Sequence, residues 1–236
     1  MSETRKITAI VLAGGSGSRM NSAVKKQYLH VDDKPLLFYS LKTFEDSCVN
    51  EIVLVVADSE RDYCRKEIVE KYGISKVNII AAGGRERYHS VYNALKAMEP
   101  CDYVLVHDGA RPFITEEIIV RALNQAYIDG ACVVGMPVKD TIRIADKDSF
   151  AKETPSRDMV WCIQTPQVFS YNIIYDSYER FFRDGEKIAV TDDAMIVETM
   201  LKKKIRLIKG SYSNIKITTP EDLEIAQVLL RNMKGT

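Results

Sequence analysis

The chain has 236 residues, enough for one large α/β domain or two small ones. Apolar residues make up 46% and charged residues 28%, and 33 basic side chains balance 33 acidic ones. Bulk charge therefore gives no attraction for nucleic acid or a membrane, and any anion site must be a local concentration of charge.

The N-terminal Met-Ser-Glu-Thr-Arg-Lys has no signal-peptide pattern, and no apolar run is long enough to span a bilayer. Ile7 to Leu12 reads as a buried strand. It opens into Ala13-Gly14-Gly15-Ser16-Gly17-Ser18-Arg19-Met20, six small residues followed by a cation, with Lys26 just beyond. Glycine lets the backbone approach a ligand closely, and successive N–H groups of such a loop surround phosphate oxygens. Arg19 and Lys26 add the charge that a triphosphate needs. The loop lacks the Gly-Lys-Ser/Thr of a P-loop, and Met20 stands where a dinucleotide fingerprint carries its third glycine. The spacing predicts a helix from Leu36 to Phe44, a strand at 51–56, a helix from Ser59 to Tyr72 stopped by Gly73, and a strand at 77–81. That third strand runs into Gly83-Gly84, and a helix is expected from Ser90 to Met98. Strand 103–107 delivers Asp108-Gly109-Ala110-Arg111-Pro112. Thr115 caps a helix that Gly130 ends, and a fifth strand covers 132–138.

Strands alternating with helices imply a mostly parallel sheet covered on both faces, with ligands beyond the carboxyl ends of its strands. The glycine loop, Gly83-Gly84, Asp108 and Arg111 all fall on that edge. Asp108 is placed where one carboxylate, phosphate oxygens and water would hold magnesium. Alone, Arg111, Arg157 and Lys216 read as solvated charges, and Asp192-Asp193 as helix-cap charge. The dispersed His30, His89 and His107 receive no catalytic role, with His107 supporting Asp108. Cys48, Cys64, Cys101, Cys132 and Cys162 form no C-x-x-C pair and read as reduced thiols in a cytoplasm. From Lys139 to Val160 the alternation breaks, and a hairpin arm that needs a partner surface, that of a second subunit, fits better than a helix. Gln164 to Phe169 follows, then helices at 171–182 and 191–203, a strand at 205–209, and a last helix started by Thr219-Pro220. With no repeat or linker, residues 1–236 read as one domain with an arm at about 139–160.

Seven blocks stand in order: Leu12 to Met20 with Lys26-Gln27-Tyr28; Gly83-Gly84 with Arg87 and Ser90-Val91; Val106 to Pro112; Pro137 to Ile142; Arg157 with Trp161 and Gln164 to Phe169; Val190 to Ala194; and Asn214 to Leu223. Together they resemble the 2-C-methyl-D-erythritol 4-phosphate cytidylyltransferase family of the non-mevalonate isoprenoid pathway, over nearly the whole chain. The resemblance implies a Rossmann-like, three-layer, mostly parallel sheet of the nucleotide-diphospho-sugar transferase type with a projecting β-arm. It implies Mg²⁺-dependent attack of a phosphorylated polyol on the α-phosphorus of CTP in a homodimer. By the family pattern Arg19 and Lys26 contact the triphosphate, and Asp108 and Lys216 lie by the metal and the α-phosphate. Ala13, Gly14, Gly15, Gly84 and Ser90 hold ribose or cytosine. Arg111, Thr141, Arg157, Thr165 and Thr191 form the phosphosugar side, Arg157 reaching it from the neighbouring subunit. Arg85 departs from the short polar or acidic residue common there. The rival readings are ribitol-5-phosphate cytidylyltransferase and a nucleotide-binding module without turnover. The set Arg19, Lys26, Asp108 and Lys216 argues against the second.

Overall fold

The computed structural model describes residues 5–15, 25–185 and 188–234. Strand β1 (Ile7–Leu12) is followed by the two-residue strands β2 (His30–Val31) and β3 (Lys34–Pro35), helix α1 (Leu36–Asp46) and strand β4 (Glu51–Val56). Helix α2 (Arg61–Cys64) continues as a π-helical stretch to Glu70, and β5 (Val77–Ala82), α3 (Arg87–Ala97), β6 (Tyr103–Asp108), α4 (Glu116–Asp129) and β7 (Ala131–Pro137) complete the alternating part. A short hairpin of β8 (Ile144–Ala145) and β9 (Ala151–Glu153) leads into β10 (Trp161–Ser170). Helices α5 (Tyr171–Arg180) and α6 (Asp193–Leu201), strand β11 (Arg206–Lys209) and helix α7 (Pro220–Lys234) close the chain.

Seven strands form one sheet in the order β11-β7-β10-β6-β1-β4-β5. All neighbours pair in parallel except β10, which runs antiparallel to both β6 and β7. The alternation of side chains along β1 explains its two-sided burial. Ile7, Ala9 and Val11 pack with α1 and α4 on one face, while Ile10 packs with α3, α5 and α6 on the other. A third cluster seats α7 on Val31, Leu36, Phe113 and Ile217. Strands β4 and β6 flank β1 on opposite sides, so the winding reverses at β1 and opens a crevice beyond its C-terminal end. Leu12 and Asp108 are register partners there, which puts the glycine loop beside the carboxylate.

Two expectations differ from the structure in instructive ways. Helix α3 begins at Arg87, not Ser90, because Glu86 and His89 form a reciprocal cap across its first turn. The helix after β4 starts through a 3₁₀ turn at Asp58–Glu60, and Ser59 does not cap it. Gln164 to Phe169, which the sequence left without an element, lies inside the central strand β10. By contrast, Thr115 accepts from the Ile118 amide and Gly130 takes φ 76°, as the sequence implies for the two ends of α4. Among the described residues, no helix is long and apolar enough to cross a membrane.

Candidate active site

Two cavities meet at the crevice. The larger, about 440 Å³, is walled by Ala13, Gly14, Gly15, Lys26, Gly84, Arg85, Ser90, Asp108 and Lys216 among others. The smaller, about 270 Å³, is walled by Arg111, Gln164, Thr165, Gln167, Thr191 and Asp192. Arg87, Asp108 and Lys216 line both, so they stand at the junction.

The larger cavity is made of backbone held by neighbouring strands. The Ala13 amide donates to the Val55 carbonyl (2.7 Å), and Gln27 Nε2 donates to the Ala13 carbonyl (2.7 Å). The Gly83 amide donates to the Val56 carbonyl, and the Gly84 amide to Ser90 Oγ at 3.0 Å. A Cβ on Gly84 would overlap His89 Cβ, so only glycine lets the loop close onto α3. Lys26 Nζ donates to the Ile217 carbonyl at 3.3 Å, which places its charge beside the stretch carrying Lys216. The exposed Arg85 reaches Glu86 at 3.9 Å on the rim. Arg19 lies outside the described residues.

Asp108 terminates β6 and gathers cations. Lys216 Nζ is 2.7 Å from Oδ2, Arg87 Nε 3.4 Å from Oδ1, and Arg111 Nε 4.0 Å from Oδ2. Burial by itself would raise this carboxyl; the charges of Arg87, Lys216 and Arg111 overcome that and hold it well below the usual carboxylate range. Arg87 is fixed from behind. Its Nη2 sits 2.7 Å from Oδ2 of Asp193, which is fully buried, in a close but poorly aligned ion pair. Asp193 Oδ1 accepts from the Tyr178 hydroxyl at 2.6 Å. For Arg87 burial works against the charge, and Asp193 and Asp108 together outweigh it and raise its pKa. Arg111 is clamped by the carbonyls of Asn214 (2.8 Å) and Ile163 (3.4 Å), while its buried Nε has no hydrogen-bond partner among the described residues and faces Asp108.

The structure thus brings together Ala13, Gly14, Gly15, Lys26, Gly84, Ser90, Asp108, Lys216, Arg111, Thr165 and Thr191. It does not bring Thr141 or Arg157 of the same chain to either cavity. Both are exposed beside the β8–β9 hairpin, with Arg157 Nη1 on the Lys139 carbonyl. Sequence reasoning left Arg87 without a role and treated Asp193 as cap charge. Asp192 is the cap, accepting from the Met195 amide, and Asp193 is the buried partner of Arg87. The proximity of Arg87 to the glycine pair was the available signal, masked by its place in the charged run Arg85-Glu86-Arg87.

Such a site offers phosphate-sized backbone cradles and cations converging on a junction. That arrangement suits displacement at phosphorus between two anions, in which positioning and charge compensation lower the barrier. Residues 7–232 match the family described as 2-C-methyl-D-erythritol 4-phosphate cytidylyltransferase. The proteins so named from Lachnoclostridium phytofermentans and Alkaliphilus metalliredigens are 48% identical over 226 residues and 46% identical over 236 residues. These alignments cover 96% and 99% of this chain, and 97% of each relative. The crystal structure of 4-diphosphocytidyl-2C-methyl-D-erythritol synthase from Anaerococcus prevotii is similar at a TM-score of 0.85 and 36% identity, covering 97% of both chains.

Proposed function

The chain belongs to the 2-C-methyl-D-erythritol 4-phosphate cytidylyltransferase family, and on that premise we propose that its two cavities hold the two reactants of cytidylyl transfer. The enzyme transfers CMP from CTP to 2-C-methyl-D-erythritol 4-phosphate and releases pyrophosphate, a step of isoprenoid precursor biosynthesis. CTP takes the larger cavity, with its base and ribose against Gly14, Gly15, Gly84 and Ser90 and its triphosphate toward Lys26 and Arg19. The acceptor takes the smaller, its phosphate toward Arg111 and its polyol toward Thr165 and Thr191. The observation that carries this reading is the shared wall of Arg87, Asp108 and Lys216, where acceptor phosphate and α-phosphate would meet.

Magnesium fits the junction. Among the described residues no cluster of three or more His, Cys, Asp or Glu side chains stands together, so a metal would rely on Asp108 and phosphate oxygens, the usual magnesium arrangement. Bound there, the ion would offset charge on the phosphates. Lys216, more exposed than Asp108, is the cation free to move from the carboxylate to a phosphate oxygen.

The same reading makes the protein a homodimer in the cytoplasm. Ile144 and Phe150 on the hairpin and Met159 in the turn after it are 46%, 72% and 82% exposed, apolar surface on an arm too small to bury it. A neighbouring subunit covering it would bring its own Arg157 to the acceptor. Purified protein given CTP, Mg²⁺ and either 2-C-methyl-D-erythritol 4-phosphate or ribitol 5-phosphate tests the assignment. Pyrophosphate release should favour the methylerythritol compound in kcat/KM. A higher value with ribitol 5-phosphate would overturn the acceptor, and no release with either would leave a binding module.

A further inference from the structure

His107 sits on β6 one residue before Asp108, is fully buried, and packs edge-on against Phe44 with ring centroids 5.2 Å apart. Its two ring nitrogens meet different partners. Nε2 lies 3.2 Å from the Arg111 carbonyl oxygen, and Nδ1 lies 3.0 Å from Thr165 Oγ1. A carbonyl only accepts, so Nε2 carries the hydrogen. A neutral imidazole carries one hydrogen, so with that hydrogen held on Nε2 by the Arg111 carbonyl, Nδ1 is bare. A bare nitrogen accepts, so the Thr165 hydroxyl donates to it. The Asp108 amide, itself able only to donate, gives its hydrogen to the same Thr165 oxygen at 3.1 Å. A hydroxyl has one hydrogen and two lone pairs. The hydrogen and one lone pair are committed behind the wall, and one lone pair is left for the cavity that Thr165 lines.

We propose that His107 is a positioning residue that fixes the polarity of Thr165, so that Thr165 meets the acceptor only as a hydrogen-bond acceptor and reads a hydroxyl of the polyol, never its phosphate. A phosphate dianion has no hydrogen to give to that lone pair, whereas a polyol hydroxyl does. The phosphate is left to the donors Arg111 and Lys216 on the same cavity. The inference rests on the acceptor occupying the smaller cavity, but the hydroxyl's polarity is a property of the protein alone.

Two measurements decide it. Long-range ¹H–¹⁵N spectra of histidine-labelled protein at pH 7, assigned with His30→Gln and His89→Gln, should show His107 with Nε2 protonated and Nδ1 bare. Protonated Nδ1 would overturn the proposal. In kinetics, wild type and Thr165→Ser should prefer the full acceptor over one of its monodeoxy analogues by about three- to tenfold in kcat/KM, the worth of one hydrogen bond. Thr165→Val should lose that preference for the same analogue, whatever it loses in overall rate, with the CTP KM unmoved. If Thr165→Val discriminates against every monodeoxy analogue as wild type does, Thr165 reads no hydroxyl and the proposal fails. If wild type turns over no phosphorylated polyol, the assignment of function fails instead, and the spectra still decide the tautomer.

Discussion

Replacing Arg87 by Met tests whether the Asp193–Arg87–Asp108 chain is one electrostatic unit. The methionine keeps the length of the stem and removes the charge. Among the described residues Asp193 then keeps only the Tyr178 hydroxyl, while Asp108 retains Lys216 and Arg111. Opposite unit charges at the observed 2.7 Å attract by about 6 kcal/mol at an effective dielectric near 20, and desolvation removes much of that. Removing one partner of a buried pair costs about 3–5 kcal/mol, because the other charge stays buried and uncompensated. Asp193→Asn keeps the volume and can still accept from Tyr178, so it should cost about 1–3 kcal/mol. In the double variant neither charge is left stranded at α6, and the total should stay near that of Arg87→Met alone, a coupling of roughly 1–3 kcal/mol. Urea unfolding of the four proteins at pH 7 gives the cycle, provided the slopes agree. Costs that add within about 0.5 kcal/mol would show that the two side chains are neighbours without mutual dependence, and would refute the reasoning.

Lys26→Ala should lower kcat by about 10²–10³-fold, the loss expected when a cation serving transition-state charge is removed, and steady-state kinetics showing only a raised KM would make it a binding residue. Gly84→Ala forces the loop off His89, and a displacement on the ångström scale should cost on the order of 10²-fold in kcat/KM for CTP; unchanged kinetics would mean the loop yields freely. His107 is held neutral by burial, so between about pH 6.5 and its folded value of about 4 the unfolded chain binds a proton that the native one does not; stability is therefore full above pH 6.5 and falls as pH drops through that window, by about 3 kcal/mol in all, and His107→Gln should flatten that part of a urea-midpoint profile. If the neighbouring subunit supplies Arg157, mixing the inactive variants Arg157→Ala and Lys26→Ala should restore activity through hybrid dimers, and no recovery on mixing would place Arg157 in its own chain's site.

The crevice was legible because each of its parts follows a strand. An apolar run, then small residues or Asp-Gly, repeats at β1, β5 and β6, and parallel winding collects those ends on one edge. Strand β10 was not legible. Gln164, Thr165 and Gln167 are polar, and Pro166 argues against a central strand. The register slips between Ile163 and Gln167, which frees the proline from the ladder and turns Gln164 and Thr165 toward Asn214 and His107. The Arg87–Asp193 pair was hidden for another reason. Its members are far apart in sequence, and only the packing of α5 and α6 against α3 joins them. Local pattern carries no record of such a contact.

Strand β10 has a consequence for how the molecule comes apart. Among the described residues it is the only hydrogen-bonded link between the β11–β7 pair and the β6–β1–β4–β5 half. The four strands β1, β4, β5 and β6 on the CTP side need nothing that lies later in the chain than β6 to pair with one another. Strand β10 forms only after the hairpin has been traversed, across a long stretch of sequence, and it brings Thr165 and Gln167 with it. The strand pairing between the two halves therefore runs through the ten residues of β10, while the core clusters on both faces of the sheet also join them. A lesion there is expected to raise amide exchange first in the β11–β7 pair, which has no other strand neighbour in the sheet among the described residues.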